Sequence, residues 1–195
     1  MEKERTRYRL AEAIRELMQK KPLDRISVRE ITDRCGVTRQ TFYRSFRDKY
    51  DLVNWYFEKL AQQSFKQMGV SCTLREGLLK KFAFIKNEER FFAAAFSSTD
   101  CNSVVAYDYE CIFRFYREII EKKTGAPLSG DLEFLLEMYC RGSIDMTAKW
   151  ARTGMQRSCE EMADLLIEAM PQRLEALLGD LGSNRSADEA RESDT

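Results

Sequence analysis

Histidine is absent from all 195 residues, proline occurs 3 times and glycine 9 times. Without histidine, a mixed cysteine–histidine zinc site is excluded and the serine–histidine–acid triad loses its base. The 6 cysteines (Cys35, Cys72, Cys101, Cys111, Cys140 and Cys159) form no CxxC pair. They lack the usual spacing of an all-cysteine metal site and read as buried thiols in a reducing compartment. So little proline and glycine excludes collagen-like, low-complexity and turn-rich all-β chains. No apolar run approaches the roughly 18 residues of a membrane span, and Arg and Glu run through residues 1–20, unlike a signal peptide. The expectation is a cytoplasmic protein with no cofactor, no metal and no membrane partner.

What is present is charge spread through an apolar background, 33% against 44% hydrophobic. That mixture argues for a folded chain. Net charge is zero, yet residues 1–50 hold 14 Lys/Arg against 8 Asp/Glu, or +6, while residues 51–195 hold 18 against 24, or −6. A basic first quarter suits an anionic partner; a solvated helix surface is the plainer account of the same charges.

Apolar residues recur at helical spacing throughout. Leu10, Ile14, Leu17 and Met18 form one stripe, closed by Lys20-Lys21-Pro22. Ser27-Val28-Arg29-Glu30, Thr73-Leu74-Arg75-Glu76 and Ser158-Cys159-Glu160-Glu161 are capping boxes. Thr38 and Asp48 can cap two further helices, the second running to about Met68 through Trp55, Leu60 and Phe65. Short helices over Leu74–Lys86 and Glu88–Phe96 precede longer ones over Ser103–Lys123 and Asp131–Arg152. Pro171 kinks or restarts the last one. The fold class is all-α, with about nine helices.

Helix, glycine turn and short second helix over Ser27–Phe46 make a helix-turn-helix pattern. Val37, Phe42 and Phe46 supply its buried face, leaving Arg39, Gln40, Tyr43 and Arg44 to project elsewhere. Arg matches guanine O6/N7 and Gln matches adenine N6/N7, while Tyr, Thr and Ser hydroxyls suit phosphate.

The stretch Ile26–Leu52 resembles the N-terminal domain of the TetR family of bacterial repressors. The matching residues are Ile31, Gly36-Val37-Thr38, Thr41-Phe42-Tyr43, Phe46, Lys49 and Leu52; Ser45 stands where the family often has His or Tyr. The resemblance implies that Arg39 and Gln40 face base edges, with Arg29 at the groove margin. It implies that Thr41, Tyr43, Arg44 and Ser45 hold phosphates (or, for Arg44, a base), with Thr38 in the same DNA-facing set. Ser27 and Lys49, at helix starts, would add phosphate contacts. On this reading residues 1–50 are a DNA-binding domain, 51–178 a helical effector-binding and dimerisation domain, and 179–195 a disordered acidic tail.

The family likeness further implies a homodimer through helices 131–152 and 158–178. The first carries Leu132, Leu135, Leu136, Tyr139, Met146 and Trp150 around Gly142-Ser143. The end of that helix and the Ser158 box are similar to a subgroup that includes regulators of dihydroxyacetone kinase operons. An effector pocket is implied among the aromatics, with Phe82, Phe92, Tyr109, Phe113, Tyr116, Tyr139 and Trp150 as candidates for holding an unknown small-molecule or protein effector. Core and dimer packing is the plainer account and explains most aromatic stripes at this spacing. The expected function is a dimeric regulator, most simply a repressor, on double-stranded operator DNA. An all-α enzyme without metal, phosphate loop or histidine base is one alternative; a helical adaptor working through protein contacts, or an activator of a metabolic operon, is another.

Overall fold

Helix starts carry the capping chemistry that the sequence predicts. The computed structural model describes residues 2–65, 73–100 and 102–179, with backbone alone for 60–65. At Ser27 the hydroxyl accepts from the Glu30 N–H at 3.3 Å, and the Glu30 carboxylate accepts from the Ser27 N–H at 2.9 Å. The same exchange recurs between Thr73 and Glu76 and between Ser158 and Glu161. Asp48 accepts from the Asp51 N–H at 2.8 Å.

The elements run α1 (Glu2–Met18), a 3-10 turn (Leu23–Arg25), α2 (Val28–Cys35), α3 (Arg39–Tyr43), α4 (Lys49–Phe65), α5 (Leu74–Asn87), α6 (Glu89–Ala95), α7 (Val104–Thr124), α8 (Gly130–Arg152), α9 (Cys159–Glu168) and α10 (Gln172–Leu178). The fold is all-α as expected, with ten α-helices among the described residues rather than about nine. The difference lies at Pro171, which ends one helix and stands at the N-cap of the next, so α9 and α10 are separate. The expected run of α4 to Met68, the side chains of Leu60 and Phe65, Cys72, Cys101 and the acidic tail past Gly179 lie outside the described residues.

Two compact units are built from these elements. The first comprises Met1–Leu60, Ile85–Asp108 and Thr147–Gln156; the second Ala61–Phe84, Tyr109–Met146 and Arg157–Thr195. The core of the first is Leu10 and Ile14 from α1, Ile31 from α2, Phe42 from α3, Phe46, and Leu52 and Val53 from α4, all essentially inaccessible. Arg9 Nη2 donates to the Cys35 carbonyl at 2.7 Å, closing the α2 C-terminus from α1. Arg34 with Glu16 ties the same two helices at their edges, and Lys21 with Glu30 ties the segment after α1 to α2.

In the second unit, Leu136, Tyr139, Cys140 and Ile144 of α8 and Met162, Ala163 and Leu166 of α9 are buried. The Tyr139 hydroxyl donates to the Leu166 carbonyl at 3.0 Å, and its burial holds the phenol in its neutral form. Arg75 and Asp164 pair at 2.7 Å, joining α5 to α9.

Two carboxylates in the first unit are held below their ordinary range. Glu30 is lowered to about 2 by its hydrogen bonds from Lys21 and from the Ser27 N–H and hydroxyl. Asp24 is lowered by the Ser98 hydroxyl, the Thr99 N–H and Tyr50. A carboxylate with a depressed folded pKa stabilises the fold fully above its unfolded value and loses that contribution as pH falls through the folded one. The α1–α2 helices should therefore melt at lower temperature as pH falls from 4.5 toward 2, a shift that Glu30→Gln reduces. Circular-dichroism melts across that range check it; an acid limb unchanged in Glu30→Gln would contradict it.

Candidate nucleic-acid interface

The turn between α2 and α3 is set by Gly36, whose φ of +67° is left-handed. Its N–H donates to Asp33, and the Val37 N–H donates back to Thr32 at 3.0 Å, so the chain reverses within one residue. A side chain at Gly36 would be strained there whatever space surrounds it. Thr38 then starts α3, its hydroxyl accepting from the Thr41 N–H at 3.2 Å and sharing a 3.0 Å hydrogen bond with the Thr41 hydroxyl.

Short as it is, α3 has its orientation fixed by rings. Phe42 is fully buried and packs on Phe46 at 5.9 Å, which in turn meets Trp55 of α4 at 5.6 Å. With Phe42 inward, Arg39, Gln40, Tyr43 and Arg44 are exposed, Tyr43 by 58%. None of these four makes a side-chain hydrogen bond or ion pair among the described residues. The Tyr43 ring stands edge-on to Phe42 at 5.4 Å, which fixes its direction. Thr41 and Ser45 are half-buried beside them. Arg29, on α2, is exposed and paired loosely with Asp33 at 3.5 Å.

Lys49 is placed differently from the phosphate contact that its helix-start position suggested. Its Nζ donates to three carbonyls of the 3-10 segment: Leu23 at 2.9 Å, Asp24 at 2.8 Å and Ile26 at 2.9 Å. An ammonium has three N–H groups, so all of its donors are engaged within the protein. Burial pushes its pKa down, and the charges of Asp24 and Asp100 oppose that shift. The Asp24 carboxylate meanwhile accepts from Ser98 at 2.6 Å and Tyr50 at 3.2 Å, so the segment leading into α2 is tied both to α4 and to the chain following α6. Sequence reading missed Asp24 and Tyr50, because their partners lie 26 and 74 residues apart and leave no local pattern.

The aromatics proposed as an effector pocket fall into both units. Phe92 and Trp150 are buried in the first, where Phe92 meets Phe57, Phe91 and Phe96 ring to ring. Phe82, Tyr109, Phe113, Tyr116 and Tyr139 belong to the second. There Tyr109 stacks on Phe113 at 5.7 Å with the Arg141 guanidinium 4.3 Å from its ring centre, and Tyr116 lies 6.4 Å from Tyr139. A cleft of about 300 Å³ on the first unit is lined instead by charged and polar groups, among them Arg15, Lys86, Glu88 and Arg90. Among the described residues no cluster could hold a metal ion, and no helix is long and apolar enough to cross a membrane.

Comparison with known proteins agrees with this architecture. Residues 10–54 match the family described as bacterial regulatory proteins, tetR family, and residues 73–172 match the transcriptional regulator C-terminal region. The transcriptional activator DhaS of the dhaKLM operon of Lactococcus lactis is 39% identical over 49 residues, a stretch covering 25% of this chain and 26% of the relative. The solved structure of a dihydroxyacetone kinase operon activator DhaS is similar with a TM-score of 0.59 at 19% identity, covering 89% of this chain and 98% of that one. A TetR-family regulator from Syntrophomonas wolfei gives 0.64 at 17% identity, over 90% and 97% of the two chains. FadR of Bacillus subtilis, solved in complex with stearoyl-CoA, gives 0.54 at 17% identity, over 88% and 97%. At such identities the structural likeness establishes the fold. With both halves matched by family descriptions and the recognition helix built as above, the chain belongs to the TetR family of bacterial transcriptional regulators and is a DNA-binding regulator rather than an enzyme.

Proposed function

We propose that the protein is a cytoplasmic homodimeric repressor that binds an inverted-repeat operator through α3 and is released by a small apolar molecule or a protein effector. Residues 1–50 carry the operator contacts and residues 51–178 the dimer and effector functions. The observation that carries this reading is the set of four exposed donors on α3 and its C-cap, Arg39, Gln40, Tyr43 and Arg44, none with a side-chain hydrogen bond or ion pair among the described residues, beside a buried Phe42. Arg39 and Gln40 read base edges, with Arg44 beside them. Tyr43, Ser45 and the hydroxyls of Ser27, Thr38 and Thr41 take phosphates; Ser27 and Thr38 already serve as caps and the Thr41 hydroxyl already bonds that of Thr38, so their bonds to phosphate would be secondary. Arg29 stands at the groove margin.

Selection of bound duplexes from a random pool tests this directly. It should return an inverted repeat with half-site centres about one helical turn, or a multiple of it, apart. Recovery of no preferred sequence would count against base reading by α3. Arg39→Ala should cost about 1–3 kcal/mol on the selected operator and relax preference at one base pair per half-site. Equal loss on operator and random DNA in competition titrations would remove Arg39 from the base-reading set.

An activator is the second reading, favoured by the match to the dhaKLM operon activator over 49 residues. A reporter fused to the selected site separates the two by the sign of its response. For the effector, an apolar molecule that lowers operator affinity by about 1–3 kcal/mol must itself bind more weakly in the presence of operator, by the same factor.

A further inference from the structure

Arg7 stands where the apolar stripe of α1 would continue, three residues before Leu10 and seven before Ile14, both fully buried. Its guanidinium carbon lies 4.8 Å from the ring centre of Phe46 and 4.4 Å from that of Trp55. A guanidinium carries five N–H donors, and one in such a place normally finds a carboxylate or carbonyl. Arg7 finds neither among the described residues, and its Nε is shielded from solvent without a partner. Its terminal nitrogens are not among the shielded, unpartnered atoms, so they remain within reach of solvent. On the same indole, the Lys59 ammonium lies 6.0 Å from the ring centre, likewise without a hydrogen bond or ion pair among the described residues.

Two cations flanking one ring repel each other, and the attraction of the ring quadrupole only partly offsets the repulsion. With no carboxylate paired to either among the described residues, the flank of Trp55 is preorganised for an anion. Through the core the stack is joined to the recognition helix: Phe46, beside Arg7, packs on the buried Phe42, whose ring meets that of Tyr43.

We propose that Arg7, held on the rings of Phe46 and Trp55, binds a backbone phosphate of the DNA, with Lys59 strengthening the local positive field. This rests on the DNA-binding function stated above and extends the contact surface from α2 and α3 onto α1. The stack orders the guanidinium before DNA arrives, so little side-chain freedom is lost on binding. Its terminal nitrogens form a fork that matches two phosphate oxygens. A phosphate contact carries no base information, so Arg7 sets affinity rather than preference.

The test is fluorescence anisotropy of a short random-sequence duplex across a salt series. Arg7→Met keeps an apolar stem on the rings and removes the charge. It should flatten the slope of log K against log salt by about 0.9 per protomer and weaken all sequences alike. Arg7→Lys, which keeps the charge, should retain the slope. An Arg7→Met slope equal to that of the unmodified chain overturns the proposal. Should Arg7→Met not fold, phenylglyoxal labelling of the unmodified chain, read by tandem mass spectrometry, decides instead. Duplex DNA should protect Arg7; equal labelling with and without duplex, or protection by inorganic phosphate alone, overturns a DNA contact. Absence of salt-dependent binding to any duplex by the unmodified chain has a different signature, and would remove the DNA-binding reading itself.

Discussion

Lys49→Met should lower the thermal midpoint of the first unit by about 5–15 °C while leaving the salt slope of DNA binding almost unchanged. The three carbonyls that converge on Nζ, from Leu23, Asp24 and Ile26, belong to the segment that leads from α1 into α2. Removing the ammonium leaves them with water as the only alternative, in a site where Leu23 and Ile26 are buried. Hydrogen bonds to a charged donor contribute about 1.5–3 kcal/mol each. The relieved desolvation of the ammonium and the side-chain freedom that methionine regains together offset about half of three such losses, leaving a net cost of about 2–4 kcal/mol. At roughly 2–4 °C per kcal/mol for a chain of this length, the midpoint falls by the stated range. Lys49→Arg should not rescue it, because a planar fork cannot point three donors at carbonyls arranged around one nitrogen. A variant with an unchanged midpoint and a salt slope flatter by about 0.9 would instead return Lys49 to the phosphate contacts. Circular-dichroism melts and anisotropy titrations give the two readouts on one sample.

Lys49 also marks the boundary of what was legible from the sequence. Helix starts were readable because their chemistry is local: Ser27 with Glu30, Thr73 with Glu76 and Ser158 with Glu161 each close a bond three residues away. The recognition helix was readable for a related reason, since Gly36 permits the turn and Phe42 fixes the inward face. Contacts that join distant segments were not. Lys49 reaches back over 23 to 26 residues, and Asp24 reaches Ser98 across 74. Arg7 shows a third case. Nothing local singles it out, because the rings it rests on, Phe46 and Trp55, come from the α3–α4 segment and α4. Helix α8 shows a fourth, because it is apolar on more than one face. Periodicity locates the stripes but does not say which one the chain covers itself. Leu136, Tyr139 and Trp150, expected on the dimer face together with Met146, are buried within the single chain, whereas Met146 is exposed.

That redistribution names the residues on which dimerisation should depend. Phe134, Met138 and Met146 are exposed by 67%, 52% and 53%, and they fall at spacings of four and eight along α8, with Gly142 between. Such spacing keeps all four positions on one side of the helix, and the glycine lets a second backbone come close. Leu165 of α9 is exposed by 42%, whereas its neighbour Leu166 is only 8% exposed and packed inside. Covering each of the four large side chains would contribute on the order of 1–2 kcal/mol, or about 8–16 kcal/mol over both protomers before the cost of association, which makes them the main apolar anchors of a dimer. Phe134→Asp should therefore convert the protein to a folded monomer with an unchanged helical spectrum. Operator affinity should fall steeply, because one recognition helix then binds without its two-fold mate. Leu165→Glu should act in the same direction, more weakly. Leu166→Glu should behave differently: a carboxylate forced into the α8–α9 packing, beside the carbonyl that accepts from Tyr139, should lower the melting temperature before it changes the assembly. Sedimentation velocity with parallel melting curves separates these outcomes. A Phe134→Asp chain that still sediments as a dimer would move the interface away from this face of α8, and dissociation of Leu166→Glu at full stability would restore the seam to the buried stripe.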